Sequence, residues 1–344
     1  MTLPLEIRNE QELDELLTQP PPTLVEFIGT VTSPLVILGA AGKMGPSLAV
    51  LAKRAANQAR HDLEVIAVSR FTNPKAEELL QARGVKTVRA DLIKREEVQR
   101  LPDSQNIIYL VGLKFGTAQN PGATWAMNTI PPALVAERYR GGRIVALSSG
   151  NVYPLSDITS GGSREEDPLT PLGEYPNAVV ARERVFEYYA RETNTPITLL
   201  RLFYAVELRY GVLLDIAGKV LAGEPISLVN GYFNCIWQGD ANEMIIRSLS
   251  LTGTPPSRFN LCHPEILSVR SIAVEIGEHL NAAPIFRDSE SPTALLGNSQ
   301  KICRALGRPG TPISQIIKWT ADWVAKGGGT LGKPTHFEVR DGVY

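Results

Sequence analysis

The chain has 344 residues, 43% of them apolar, and sets 35 lysines and arginines against 36 aspartates and glutamates. That is enough apolar chain for a substantial core and excludes a disordered protein, while the balanced charge, with no basic run interleaved with aromatics, excludes a nucleic-acid footprint. Cys235, Cys262 and Cys303 are odd in number and lack C-x-x-C spacing, so neither a disulfide framework nor a metal site is expected, and a reducing, cytoplasmic setting is.

Residues 1–34 read as an N-terminal appendage. "MTLPLEIRNEQELDELL" carries acids where a signal peptide needs an apolar run, and no later segment approaches ~18 uninterrupted apolar residues, so a soluble protein with no membrane partner is expected. Asn9 caps a short helix that ends near Thr18, where "QPPPT" stops it. From there "LVIL" (35–38), "EVIAV" (64–68), "VKTV" (85–88), "NIIYLV" (106–111), "RIVALS" (143–148) and "ITLL" (197–200) alternate with stretches of helical period. That alternation predicts an α/β fold: a doubly wound parallel sheet over 35–203, covered by helices on both faces.

After about residue 203 the alternation loosens into "GVLLDIAGKVLAGEPISLV", "GDANEMIIRSLSL" and "SVRSIAVEIGEHL", a smaller C-terminal α/β lobe over 204–326. Residues 327–344, "GGGTLGKPTHFEVRDGVY", have no amphipathic period and form an extended tail. Its hinge-like glycines and aromatic anchors predict docking on its own chain or on a partner subunit.

"LVILGAAGKMG" places Gly39, Gly42 and Gly45 directly after the first strand and at the mouth of a helix, with Lys43 and Met44 between the last two. Glycine is needed there because the backbone must turn sharply and approach a pyrophosphate, whose charge rests on the helix N-terminus. Dinucleotide binding is therefore expected, with Lys43 either adding charge at the phosphates or solvated. An NAD site would have an acid ~20 residues on, at the end of the second strand. That strand ends instead in Ser69 and Arg70, suited to a 2′-phosphate, so NADP is expected ahead of NAD unless Arg70 is a solvated loop residue.

With these residues in place, the chain resembles the extended short-chain dehydrogenase/reductase family, the NAD-dependent epimerase/dehydratases, in an ordered set of motifs over roughly 35–326. "RADL" resembles the adenine-contacting pair (Asp91, Leu92), "YLVGLKFG" the fourth-strand exit of UDP-galactose 4-epimerase with its lysine (Lys114), and "TWAMNT" supplies the helix asparagine (Asn128). "SSGNVYP" aligns Ser149 with the catalytic serine, and "GEYPNAVVARERVFEYY" aligns Tyr175 with the catalytic tyrosine. The resemblance implies a Rossmann domain, a substrate lobe, an active site between them for a small-molecule substrate, and a homodimer formed through the helices that begin near Thr124 and Tyr175.

The departures carry as much weight. In the family the lysine four residues after the tyrosine lowers the phenol pKa, ordinarily ~10, and holds the nicotinamide ribose. Here Val179 stands there, leaving Arg182, seven residues on along the same helical face, and Lys114 as candidate substitutes. The residues that resembling members use to clamp a nucleotide-sugar diphosphate read Tyr204 and Phe233, which points away from that substrate class. Asn151, Tyr204, Asn234, Trp237 and His263 are candidates for a polar-aromatic pocket, or for ordinary packing. The first reading is an NADP-preferring oxidoreductase or epimerase acting on a carbohydrate-like alcohol or ketone that carries no nucleotide. The rivals are a catalytically weakened cofactor-binding sensor or subunit, and a nucleotide-sugar epimerase with an altered phosphate clamp.

Overall fold

The structure is a computed structural model and describes residues 3–113, 119–333 and 335–342. Its main sheet has seven strands, numbered here in chain order: β1 (Leu35–Leu38), β2 (Val65–Ser69), β3 (Lys86–Arg89), β4 (Asn106–Tyr109), β5 (Arg143–Ser149), β6 (Ile197–Leu202) and β7 (Ser257–Leu261). They lie in the order β3-β2-β1-β4-β5-β6-β7, every pair parallel. β1 and β4 are buried along their whole length, as apolar runs covered by helices on both faces must be. The order reverses between β1 and β4, and that switch point opens the crevice where doubly wound sheets receive their ligands.

On one face the helix Gly45–Gln58 turns Leu48, Ala49, Leu51, Ala52 and Ala55 onto the sheet. On the other, the helices Pro121–Arg138 and Glu174–Thr193 lie side by side, and Phe186 of the second meets Tyr109 edge-on at 5.2 Å between ring centroids. The six strands expected from sequence are all present. The seventh, β7, comes from beyond residue 203, so the chain crosses the expected boundary. It leaves for the lobe, returns through the helix Gln238–Arg247, which packs on Gly45–Gln58, and pairs β7 with β6 so that Phe259 stands beside Leu200. "SRFNL" is too polar to announce a core strand, and its burial comes from that long-range pairing.

The appendage is integrated as well. Asn9 caps the helix Glu10–Leu17 as expected, accepting from the Glu12 amide at 2.9 Å, and a second helix, Pro22–Ile28, begins inside the proline run with proline in its first turn. Leu13 and Leu17 belong to the lobe's core, whereas Leu24 and Ile28 belong to the sheet's. Glu15 pairs with Arg54 and Arg83 of the Rossmann half, and Asp14 pairs with Arg209 of the lobe, so this segment clamps the two halves together. The tail is docked against the lobe, with Phe337 buried in its core. No helix among the described residues is long and apolar enough to cross a membrane.

Candidate active site

The loop between β1 and the helix Gly45–Gln58 is built around its glycines. Gly39 has φ +84°, and a Cβ there would stand 2.9 Å from the Val111 side chain. At Gly45 a Cβ would overlap the backbone of Ala40 at 2.3 Å, so the helix mouth can press on the loop only through glycine. At Gly42 an added Cβ would meet only the Gly39 carbonyl oxygen, at 3.3 Å, which leaves that side of the loop open to an approaching group. Lys43 points its ammonium across the cleft, donating to the Ala205 carbonyl at 2.6 Å and lying 4.1 Å from the centroid of the Tyr210 ring.

Beyond this loop Ser149, Asn151, Tyr175, Arg182, Tyr204 and Tyr210 surround a cavity of about 220 Å³. Ser149 ends β5, Tyr175 sits in the first turn of its helix, and Arg182 lies two turns further along the same face. Ser149 and Tyr175 are hydrogen-bonded through their side chains, and the Ser149 hydroxyl also meets Asn151 Oδ1 at 3.0 Å. Burial pushes the Tyr175 phenol up from its ordinary pKa, and two influences oppose it, the Arg182 charge and the Ser149 hydrogen bond.

Arg182 is itself buried. Nη1 donates to the Leu147 carbonyl at 2.7 Å and Nη2 to Asn128 Oδ1, both neutral acceptors, while buried Nε has no hydrogen-bond partner among the described residues. The guanidinium lies so close to the exit of β4 that a Cβ on Gly112 would stand 2.2 Å from Nη2. A buried cation held by neutral oxygens keeps its field for whatever charge develops in the cavity.

Beneath the cavity floor, Arg201 of β6 holds Glu183 through Nε at 3.0 Å and Nη2 at 2.7 Å, and the Ser148 hydroxyl donates to the same carboxylate at 2.5 Å. Arg201 Nη1 continues to Tyr153, whose hydroxyl donates to Asn260 of β7 at 2.9 Å. This fully buried network fixes β5, β6, β7 and the Tyr175 helix relative to one another, so the serine and the tyrosine meet on a rigid frame.

The sequence model of the NAD dependent epimerase/dehydratase family matches residues 35–232. The chain belongs to this family. Among solved structures it is similar to a UDP-glucose 4-epimerase of Thermotoga maritima (17% identity, 86% of this chain and 99% of the other, TM-score 0.68) and to a UDP-glucuronic acid 4-epimerase of Bacillus cereus bound to NAD (15%, 85% and 96%, TM-score 0.70). It is also similar to the UDP-Glc/GlcNAc 4-epimerase of Campylobacter jejuni (18%, 86% and 100%, TM-score 0.69). At these identities the likeness is one of fold. No curated protein matches the sequence at a significant level.

Within this epimerase/dehydratase frame the expected residues divide. Gly39, Gly42, Lys43, Met44 and Gly45 form the loop, and Ser149, Tyr175, Asn151 and Tyr204 reach the cavity. Asn128 is reached through Arg182. Ser69 ends β2, and Arg70 follows it, exposed. The Asp91 amide donates to Glu97 at 2.7 Å, and Leu92 is buried under the sheet. Lys114 lies outside the described residues.

Three of the substrate candidates hold structure instead of lining the cavity. Asn234 donates to the His263 and Glu265 carbonyls and accepts from the Gly297 amide, so its whole amide is spent stitching loops. Trp237 packs on Trp319 with ring centroids 5.4 Å apart. His263 accepts from the Glu265 amide at 3.3 Å, and burial lowers its pKa. Tyr210 and Thr335, which do line the cavity, were missed: each comes from a loop or tail whose position depends on docking that no local pattern reports.

Proposed function

We propose that this chain is a nicotinamide-dinucleotide-dependent oxidoreductase or epimerase acting on the hydroxyl or carbonyl of a small, carbohydrate-like substrate, with Arg182 in place of the family's lysine. The single observation that carries this reading is the buried Arg182 guanidinium, held by neutral acceptors, in the same cavity as Tyr175 and Ser149. The glycine loop fits the cofactor, since its glycines allow the tight approach and Gly42 leaves one side open. Arg182 Nε, buried without an acceptor among the described residues, fits a ribose hydroxyl at the nicotinamide end.

A dinucleotide held there supplies the hydride acceptor or donor. The chain's own residues handle the oxygen. Ser149 orients the substrate oxygen by hydrogen bonding, and Tyr175 takes its proton when the carbinol is oxidised and returns it when the carbonyl is reduced. Arg182 offsets part of the burial that disfavours phenolate. The exit of β2 through Ser69 and exposed Arg70 supports NADP over NAD, because a guanidinium pairs well with a 2′-phosphate.

The structural neighbours include epimerases whose names carry UDP-sugars, which keeps nucleotide-sugar epimerisation as the second reading. The cavity of about 220 Å³, and Tyr204 and Phe233 where the diphosphate clamp is expected, favour an unactivated sugar or sugar acid. The test is Tyr175→Phe. With cofactor and a competent sugar substrate, turnover should fall by about 10²–10⁴-fold with an unchanged thermal midpoint. Wild-type turnover in that variant means the proton is handled elsewhere.

A further inference from the structure

The active cavity is not closed by the two lobes alone. Thr335 of the tail is one of its lining residues, and a second cavity of about 210 Å³, which shares Asn151 and Leu295 with the first, is lined by Val339, Arg340 and Gly342 of the same tail. We propose that the segment 335–342 is a specificity-determining strap: docked along the cleft, it walls both compartments and limits the ligand to a molecule of about monosaccharide size. The proposal deepens the reading above and rests on it for which cavity is the reacting one.

The docking is specific along its whole length. Thr335 donates to the Asp215 carboxylate through its amide at 3.0 Å and its hydroxyl at 2.5 Å. Asn230 donates to the Phe337 carbonyl at 2.6 Å and the Val339 carbonyl at 3.3 Å, and Glu338 pairs with Lys219 at 2.5 Å. Arg340 ties the strap to Val229, Asn230 and Thr293 through Nη1 at 3.2, 2.7 and 2.8 Å. Phe337 is buried among the lobe's apolar side chains. Ordering this segment costs backbone entropy at every residue, and this density of anchors is what outweighs it.

The far end of the strap seats on the catalytic helix itself. Gly173 is that helix's N-cap, two residues before Tyr175, and has φ +91°; Gly342 has φ +77°. A Cβ on Gly173 would stand 2.2 Å from the Gly342 carbonyl oxygen, and a Cβ on Gly342 would stand 2.0 Å from that of Leu172. Two backbones approach this closely only where neither residue has a side chain. The strap thus runs from the lobe to the N-terminus of the helix that carries the reacting phenol.

Size then decides what enters. At about 220 and 210 Å³, each compartment lies below the ~300–1,000 Å³ typical of sites for drug-sized ligands. A nicotinamide ring must share the first compartment. On this proposal a six-carbon sugar is the size that the two compartments accept with the strap seated, and a sugar carrying a nucleoside diphosphate needs the strap to leave.

The experiment uses UDP-glucose as the probe and equilibrium binding as the readout, so it does not depend on turnover by Tyr175. Calorimetry with the full-length protein saturated with NADP or NAD is compared with a chain ending at Gly332 and with Gly342→Val, which keeps every anchor and denies the strap only its seat against Leu172. The expected result is at least tenfold tighter UDP-glucose binding in the released chains than in the full-length protein, with faster amide exchange in the first turn of the Tyr175 helix. Should the truncated chain fail to melt cooperatively, Gly342→Val decides. Equal UDP-glucose affinity in full-length and released chains, or no binding in any of them, overturns the proposal. Failure of the catalytic reading would show separately, as wild-type turnover in Tyr175→Phe.

Discussion

Arg182 donates through Nη2 to Asn128 Oδ1, joining the tyrosine helix to its neighbour with a buried cation. One turn after Tyr175 stands Val179, and two turns after it stands Arg182. Arg182 lies on the same face of the helix as Tyr175, its side chain leans toward the helix N-terminus, and its charge acts on the phenol. Asn128 connects the same two helices, but here its acceptor serves to position the guanidinium.

Replacing Arg182 by leucine should therefore change the pH dependence as well as the rate. Burial already raises the Tyr175 phenol, and Arg182 is the larger of the two influences that oppose it, so removing the charge moves the phenol further up. In the direction that needs phenolate as base, the alkaline rise of the pH–rate profile should shift to higher pH. Loss of a charged contact worth ~1.5–3 kcal/mol corresponds to about 10–100-fold at neutral pH. Arg182→Lys should recover part of it. A purely structural role for Arg182 would lower the melting temperature and leave the position of the alkaline rise untouched.

The second consequence concerns stability at high pH. Burial pushes the Tyr153 and Tyr210 phenols up to about 12 and raises Tyr109 and Tyr175 as well. Each phenol thus holds its proton more tightly in the folded chain than in the unfolded one, where its pKa is ~10. Below pH ~10 both states are protonated and nothing is lost; between there and about 12 the unfolded chain releases protons that the folded chain keeps, so stability falls as pH rises. Burial raises the Cys235 and Cys262 thiols in the same way from an ordinary ~8.5, so urea midpoints should begin to fall above pH ~8 and drop more steeply above ~10. Tyr210→Phe should make that drop shallower. A midpoint that stays level to pH 11 would contradict it.

How much of this was legible in the sequence follows from how local each signal is. Six of the main strands and the glycine loop declare themselves in single runs, because short apolar stretches between helical periods carry their own pattern. β7 does not, since "SRFNL" becomes a strand only by pairing with β6 across more than fifty residues. Motif order singles out Ser149 and Tyr175, and both reach the cavity, yet Asn234, Trp237 and His263, which share their chemistry with pocket residues, are used for packing and loop closure. Thr335 is held at the cavity by the Asp215 carboxylate, a contact between the tail and a helix 120 positions earlier. Residue type proposes a role, and the burial that assigns it is tertiary.

Val179 tests the idea that the arginine has taken over the lysine's place. Its side chain is fully buried, packed in a cluster with Tyr153, Phe203, Cys262 and Leu295. A lysine there must bury an ammonium among apolar side chains, three residues from the Arg182 guanidinium on the same helix, so desolvation and like-charge repulsion act together. Val179→Lys should therefore cost about 3–5 kcal/mol of stability, the scale of an uncompensated buried charge, and should not move the pH–rate profile downward. In an Arg182→Leu background the repulsion is gone and the space beside Gly112 is freed, so the same lysine should recover part of the lost turnover. The two substitutions should couple by at least ~1 kcal/mol in a double-mutant cycle, since they compete for one position near the phenol. If Val179→Lys alone raises neutral-pH turnover with no loss in thermal midpoint, the site has room for both cations and Arg182 is not the lysine's substitute.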